Sequence, residues 1–138
     1  MKYRVTVLKV GQADVPAPQV YWMSHWGQWE TLYFYMVVIR GEGVTAIINT
    51  GPPEDLTTLN EAWRAYAGDR CQMIRDEEER PLNALAKIGI EAKDVDYVFL
   101  TPLQSYATAG IPLFPRAKIC FSRRGWRACH GWRLCFQL

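Results

Sequence analysis

The chain has 138 residues, of which 49% are apolar and 22% charged, and its formal net charge is +2. This length and composition suit one globular domain and exclude disorder, a collagen-like repeat and a coiled coil. The longest apolar run, residues 32–39, falls far short of the roughly 18 residues that a membrane span requires.

In chain order, Tyr3-Arg4-Val5-Thr6-Val7-Leu8 alternates with period two and predicts a half-buried strand. Residues 11–18, with two prolines, predict a loop. Residues 21–35 are dense in aromatics: Tyr21, Trp22, Trp26, Trp29, Tyr33, Phe34 and Tyr35. That cluster fits either the lining of an apolar ligand pocket or a core together with an uncovered apolar face. Residues 31–39 predict a second strand, and Gly41-Glu42-Gly43 turns it into a third, Val44-Thr45-Ala46-Ile47-Ile48-Asn49. Gly51-Pro52-Pro53 stops that strand. Leu56, Leu59, Trp63 and Tyr66 recur at helical spacing over residues 54–66, with Gly68 beyond the end.

Residues 75–80 form a solvated charge run. Pro81 opens a second helix with Leu82, Leu85, Ala86 and Ile88 on one face, and Gly89 closes it. Residues 96–100 and 117–121 predict two more strands, separated by a loop over residues 101–110. This order gives a mixed sheet with helices on one face. A sheet buries its second face only against another layer, and no second helical layer remains to cover it. The chain therefore predicts half of a layered architecture, with self-association, as a homodimer or otherwise, through the uncovered face.

Charge is unevenly placed. Residues 1–115 hold 10 basic and 14 acidic groups, whereas residues 116–138 hold six basic groups and no acid. The same 23 residues carry Cys120, Cys129, Cys135 and His130. The basic balance thus belongs to the end of the chain.

Two segments resemble the metallo-β-lactamase superfamily. Ile47-Ile48-Asn49-Thr50-Gly51-Pro52 is similar to its strand-end I-D-T-G-P. The stretch from Asp94 through Leu100-Thr101-Pro102-Leu103-Gln104-Ser105-Tyr106-Ala107 to Gly110 is similar to its D-V-D-x-V-x-L-T-H-x-H-x-D-H-x-x-G motif. The following strand and Ser122-Arg123-Arg124-Gly125-Trp126 fit the N-acyl homoserine lactonase-like branch. The resemblance covers residues 1–126. It implies an α/β class, with a mixed sheet and helices on one face, forming half of a metallo-β-lactamase-type αβ/βα sandwich. It also implies a hydrolase of lactones or esters that uses zinc or another divalent metal.

Carried over by position, Pro102 and Gln104 stand at two histidines, Tyr106 at an aspartate and Ala107 at a further histidine. Proline and alanine have no ligand atom, glutamine is a poor ligand, and a phenol prefers to stay protonated. Asn49 replaces the aspartate of D-T-G. Without cations a carboxylate there would be an unpaired charge. No metal and no cofactor are therefore expected. The substitutions read either as a site rebuilt without metal or as decay.

The resulting expectation is a metal-free fold with a non-catalytic ligand-binding or interaction role, and pocket candidates Asn49, Thr101, Gln104, Ser105 and Tyr106. Two alternatives stay open: a hydrolase working through other ligands, and a truncated product without a function of its own. Ser105 lacks an adjacent base for nucleophilic work. His25, flanked by tryptophans, reads as structural rather than as a base or ligand. Cys120, Cys129, His130 and Cys135 have the atom types for zinc without knuckle spacing. Residues 127–138 read as an irregular basic tail, and neither nucleic acid nor membrane is an expected partner. The start Met1-Lys2-Tyr3-Arg4 lacks a leader-like apolar stretch, so the chain reads as cytoplasmic with reduced thiols.

Overall fold

In a computed structural model the described residues are 2–131, with side chains described for 2–128. The elements are β1 (Arg4–Pro16), β2 (Trp29–Gly41), β3 (Val44–Ile48), α1 (Thr57–Ala67), β4 (Met73–Ile74), α2 (Pro81–Ala86), β5 (Tyr97–Phe99), α3 (Ser105–Thr108), β6 (Lys118–Cys120) and α4 (Arg123–Gly131). The strands form a sheet in the order β4-β1-β2-β3-β5-β6. β4, β1, β2 and β3 pair antiparallel, whereas β3, β5 and β6 run parallel.

The β2–β3 turn follows directly from its residues. Glu42 and Gly43 take φ of 54° and 75°, the positive values that a tight two-residue hairpin needs. The predicted loop over residues 11–18 is corrected, because β1 continues to Pro16. A bulge between Lys9 and Gly11 adds a residue and bends the strand, and pairing with β2 then resumes through Pro16↔Trp29. Pro16 is tolerated as the last residue of the strand, where a missing N–H matters least.

Alternation divides the sheet into two faces. Leu8, Met36, Val38, Ile47, Val98 and Ile119 point to one side. There Val10, Leu85, Ile90, Val95 and Phe114 complete the core. α2 reaches this face through Leu85, while α1 and α3 reach it through Trp63 and Tyr106, which both pack against Phe34. Helices on one face of a mixed sheet are what the sequence predicts. The other face carries Val5, Val7, Tyr33, Tyr35 and Phe99, each exposed.

The aromatic segment does not act as one unit. Trp22 and Trp26 project from the β1–β2 connection with 88% and 68% exposure, so they belong to neither core nor pocket. The α4 helix runs through residue 131, so the boundary expected at residue 127 falls inside a helix rather than at the start of an irregular tail. Trp132, Arg133 and Cys135 lie outside the described residues, as do the side chains of Cys129 and His130.

At the far end of β1 the Thr31 hydroxyl donates to Asp14 (2.7 Å) and Arg70 Nε donates to the same carboxylate (2.9 Å). The Thr31 bond first, then the Arg70 bond, hold the Asp14 carboxyl below its ordinary range. A depressed folded value stabilises the fold above the unfolded pKa near 4, and that stability is lost as pH falls through the folded value. Melting followed from about pH 5 to pH 2 should therefore fall more steeply for the wild type than for Asp14→Asn. Identical slopes would remove this contribution.

Candidate functional site

The C-terminal ends of β3 and β5 lie side by side, so the residues after each strand meet. Asn49, at φ 62°, occupies the left-handed region that asparagine tolerates better than most residues. Its amide makes a two-way link to the loop after β5. Asn49 Nδ2 donates to the Thr101 carbonyl (2.7 Å), and Thr101 N donates to Asn49 Oδ1 (2.8 Å). An ionised aspartate could accept the second bond but could not donate the first, and it would set a charge against the Thr101 carbonyl. Asparagine is therefore matched to this loop in a way the charged residue is not.

The next residue repeats the connection. Thr50 is fully buried, and both its N (2.8 Å) and its Oγ1 (3.1 Å) donate to the Ala107 carbonyl. Gly110 lies against this pair so closely that a Cβ there would stand 2.5 Å from the Thr50 carbonyl oxygen. The β3 end, the loop and α3 thus form one fixed unit.

The four positions that the family resemblance matches to metal ligands are distributed over this unit. Thr101-Pro102 is a cis peptide, and Pro102 is exposed. Gln104 is exposed at the start of α3, where its backbone carbonyl accepts from Ala107 N, Thr108 N and the Thr108 hydroxyl. Ala107 is buried at 2% exposure. The Tyr106 ring packs against Phe34 (5.0 Å between centroids) and Trp63 (6.3 Å). Burial pushes the Tyr106 phenol above its ordinary value, so it stays neutral.

The aromatic trio opens onto a cavity of about 270 Å³ lined by Val15, Gln19, Leu32, Phe34, Trp63, Tyr66, Cys71 and Tyr106. None of these side chains carries a formal charge. Burial, with the Asp14 carboxylate second, raises the Cys71 thiol and keeps it protonated. Of the five residues expected to line a pocket, Tyr106 lines this one. Asn49 and Thr101 are engaged with each other, and Gln104 and Ser105 begin α3. Phe34 belongs to the aromatic cluster that the sequence offers as a pocket lining or a core, whereas Trp63 reads there only as a helix residue. Their meeting depends on α1 crossing β2, which residue spacing alone does not specify. His25 is exposed in the β1–β2 connection, with its Nδ1 2.8 Å from the Ser24 hydroxyl and its ring against Tyr21.

No family model and no curated protein matches the sequence. Solved structures do match. An N-acyl homoserine lactone hydrolase, with the product N-hexanoyl-L-homoserine at its catalytic metal centre, aligns at TM-score 0.83 and 19% identity, over 99% of this chain and 55% of its own. The AiiA protein of B. thuringiensis, with N-decanoyl-L-homoserine at its active site, aligns at TM-score 0.84 and 19% identity over the same shares. The hydrolase AbOPH of the β-lactamase superfamily aligns at TM-score 0.52 and 15% identity, over 85% of this chain and 40% of its own.

The chain carries half of the metallo-β-lactamase fold.

It spans about half the length of the first two of these structures. At such identities the likeness establishes the fold, and the chemistry must be read from this chain's own residues. Those residues do not fit the metal that the fold implies. Pro102 and Ala107 offer no donor atom, Tyr106 is a neutral phenol turned into an aromatic cluster, and Asn49 is committed to Thr101. Among the described residues, no group of three His, Cys, Asp or Glu side chains comes together. What the half-fold retains around the site is an uncharged, aromatic-walled cavity.

Proposed function

We propose that this metallo-β-lactamase half-fold is non-catalytic and binds a small, neutral, acyl or aromatic molecule in the Phe34–Trp63–Tyr106 cavity. The observation that carries the reading is the Tyr106 ring. It forms an apolar wall with Phe34 and Trp63, at a position that the family resemblance matches to an aspartate. Apolar walls with few polar groups favour a ligand whose affinity comes from buried hydrocarbon. Gln19 and the Tyr106 hydroxyl supply polar contacts. The cavity lining provides no charged partner, which disfavours a ligand with a buried charge.

The probe is N-hexanoyl homoserine lactone, with N-hexanoyl-L-homoserine, the charged molecule held by one structural neighbour, for comparison. Calorimetric titration should give saturable binding of the neutral lactone in preference to the carboxylate. Trp63→Ala should weaken it about tenfold, the equivalent of ~1.4 kcal/mol. Failure of the lactone to saturate at millimolar concentration would remove the proposed ligand class. Protein purified without chelator should carry no stoichiometric zinc, iron or manganese. Lactone hydrolysis that a chelator abolishes would overturn the non-catalytic reading.

A further inference from the structure

The sheet face opposite the cavity combines apolar character with exposure. Val5, Val7, Tyr33, Tyr35 and Phe99 are 61%, 58%, 52%, 48% and 44% exposed. They form continuous rows across the strands: Val7↔Val37↔Ile48↔Phe99↔Cys120 and Val5↔Ile39↔Ala46↔Tyr97↔Lys118. We propose that this face is a self-complementary interface with a second copy of the chain.

Area supports that occupant. The twenty outward ladder positions of β1, β2, β3, β5 and β6, each about 4.8 Å by 6.7 Å, give roughly 640 Å² of flat sheet per copy. Side chains standing off the sheet raise the accessible area towards the roughly 800 Å² per partner of a standard interface. Within that face Val5, Val7, Tyr33, Tyr35 and Phe99 form the kind of exposed apolar surface that marks an interaction site.

Charge supports it as well, because a two-fold interface sets each group near its own copy or its neighbours' copies. The charged residues at outward ladder positions are Lys9, Asp14 and Lys118. Each is already engaged within its own chain. Lys9 pairs with Glu79 at 2.8 Å and leans over the Tyr33 ring, and Asp14 pairs with Arg70. Lys118 Nζ lies over the Tyr97 ring at 5.5 Å. Lys9 and Asp14 thus bring paired charges to the interface, and Lys118 lies on the edge strand β6.

Light scattering on the full chain during size exclusion, at about 100 µM, tests the interface. The expected mass is twice 15.9 kDa. Val7→Lys combined with Phe99→Lys should return the mass to that of one chain with the far-ultraviolet circular dichroism unchanged. Glu61→Lys on α1, away from the face, should leave the dimer intact. A wild-type monomer, an assembly larger than two, or a dimer indifferent to the double lysine variant would each overturn the proposal. Should the double variant fail to fold, hydroxyl-radical footprinting of the wild type decides. Tyr35 and Phe99 should oxidise more slowly as concentration rises, and concentration-independent oxidation of both would overturn the interface.

Discussion

Gly110→Ala should destabilise the protein by about 3 kcal/mol, the upper end of what overpacking costs. The backbone at Gly110 is ordinary, with φ −80°, so the penalty is purely steric. A methyl group there would stand 2.5 Å from the Thr50 carbonyl oxygen and 3.0 Å from the Thr50 Cβ. Thr50 cannot retreat cheaply, because its N and Oγ1 are both bonded to the Ala107 carbonyl and its side chain is fully buried. For a domain of this size the loss corresponds to a fall in melting temperature of roughly 10–15 °C. Gly43→Ala makes the contrasting control. Gly43 takes φ 75° in the hairpin turn, and a Cβ there would meet nothing within 4 Å, so only the conformational cost of about 1 kcal/mol applies. If thermal melting showed Gly110→Ala to be the milder of the two, the close approach would carry no energetic weight.

The second large effect is expected at Asn49. Asn49→Ala removes both bonds to Thr101, each worth about 1 kcal/mol net, and forces alanine into a left-handed conformation at a cost of about 1 kcal/mol more. The sum is about 3 kcal/mol. Asn49→Gly loses the same bonds without the conformational term, so it should cost about 2 kcal/mol. Urea unfolding should rank the proteins wild type, then Asn49→Gly, then Asn49→Ala. The Thr101 amide should exchange faster with solvent in both variants. An Asn49→Ala protein as stable as Asn49→Gly would mean that the positive φ relaxes without cost. Unchanged Thr101 exchange would mean that the link is not maintained in solution.

The elements legible in the sequence were those set by short-range rules. Gly41-Glu42-Gly43 located the hairpin because a two-residue turn needs positive φ, and Pro81 and Gly89 bracket the short second helix and the turn that follows it. Residues 11–18 misled for the same reason: glycine and proline read as a loop, whereas a bulge absorbs the irregularity and pairing resumes beyond it. The two residues of β4 carry too little pattern to be seen. They become a strand because β1 offers an open edge at Gln12 and Ala13.

The candidate site divides along the same line. Asn49 and the 101–107 loop could be read as neighbours through the motif spacing that resembles the metallo-β-lactamase family, and the structure joins them with bonds of 2.7 and 2.8 Å. The cavity is built differently. Val15, Phe34, Trp63 and Tyr106 come from β1, β2, α1 and α3, and Val15 and Trp63 read locally as ordinary strand and helix residues. Only the helix packing makes them one surface. Tyr106 belongs to both descriptions, and of the five pocket candidates around the motif it is the one that lines the cavity.

The change from antiparallel to parallel pairing at β3 also determines where chain entropy is spent. The β2–β3 hairpin closes across two residues, whereas the parallel β3–β5 contact closes across about fifty. On the logarithmic dependence of closure entropy on length, the second step costs about 3 kcal/mol more than the first. The Asn49–Thr101 and Thr50–Ala107 bonds span 52 and 57 residues and sit at the mouth of that long loop. The contact between the β3 end and the 101–107 loop thus serves as a topological clasp, holding the parallel strands of the sheet to the hairpin that precedes them.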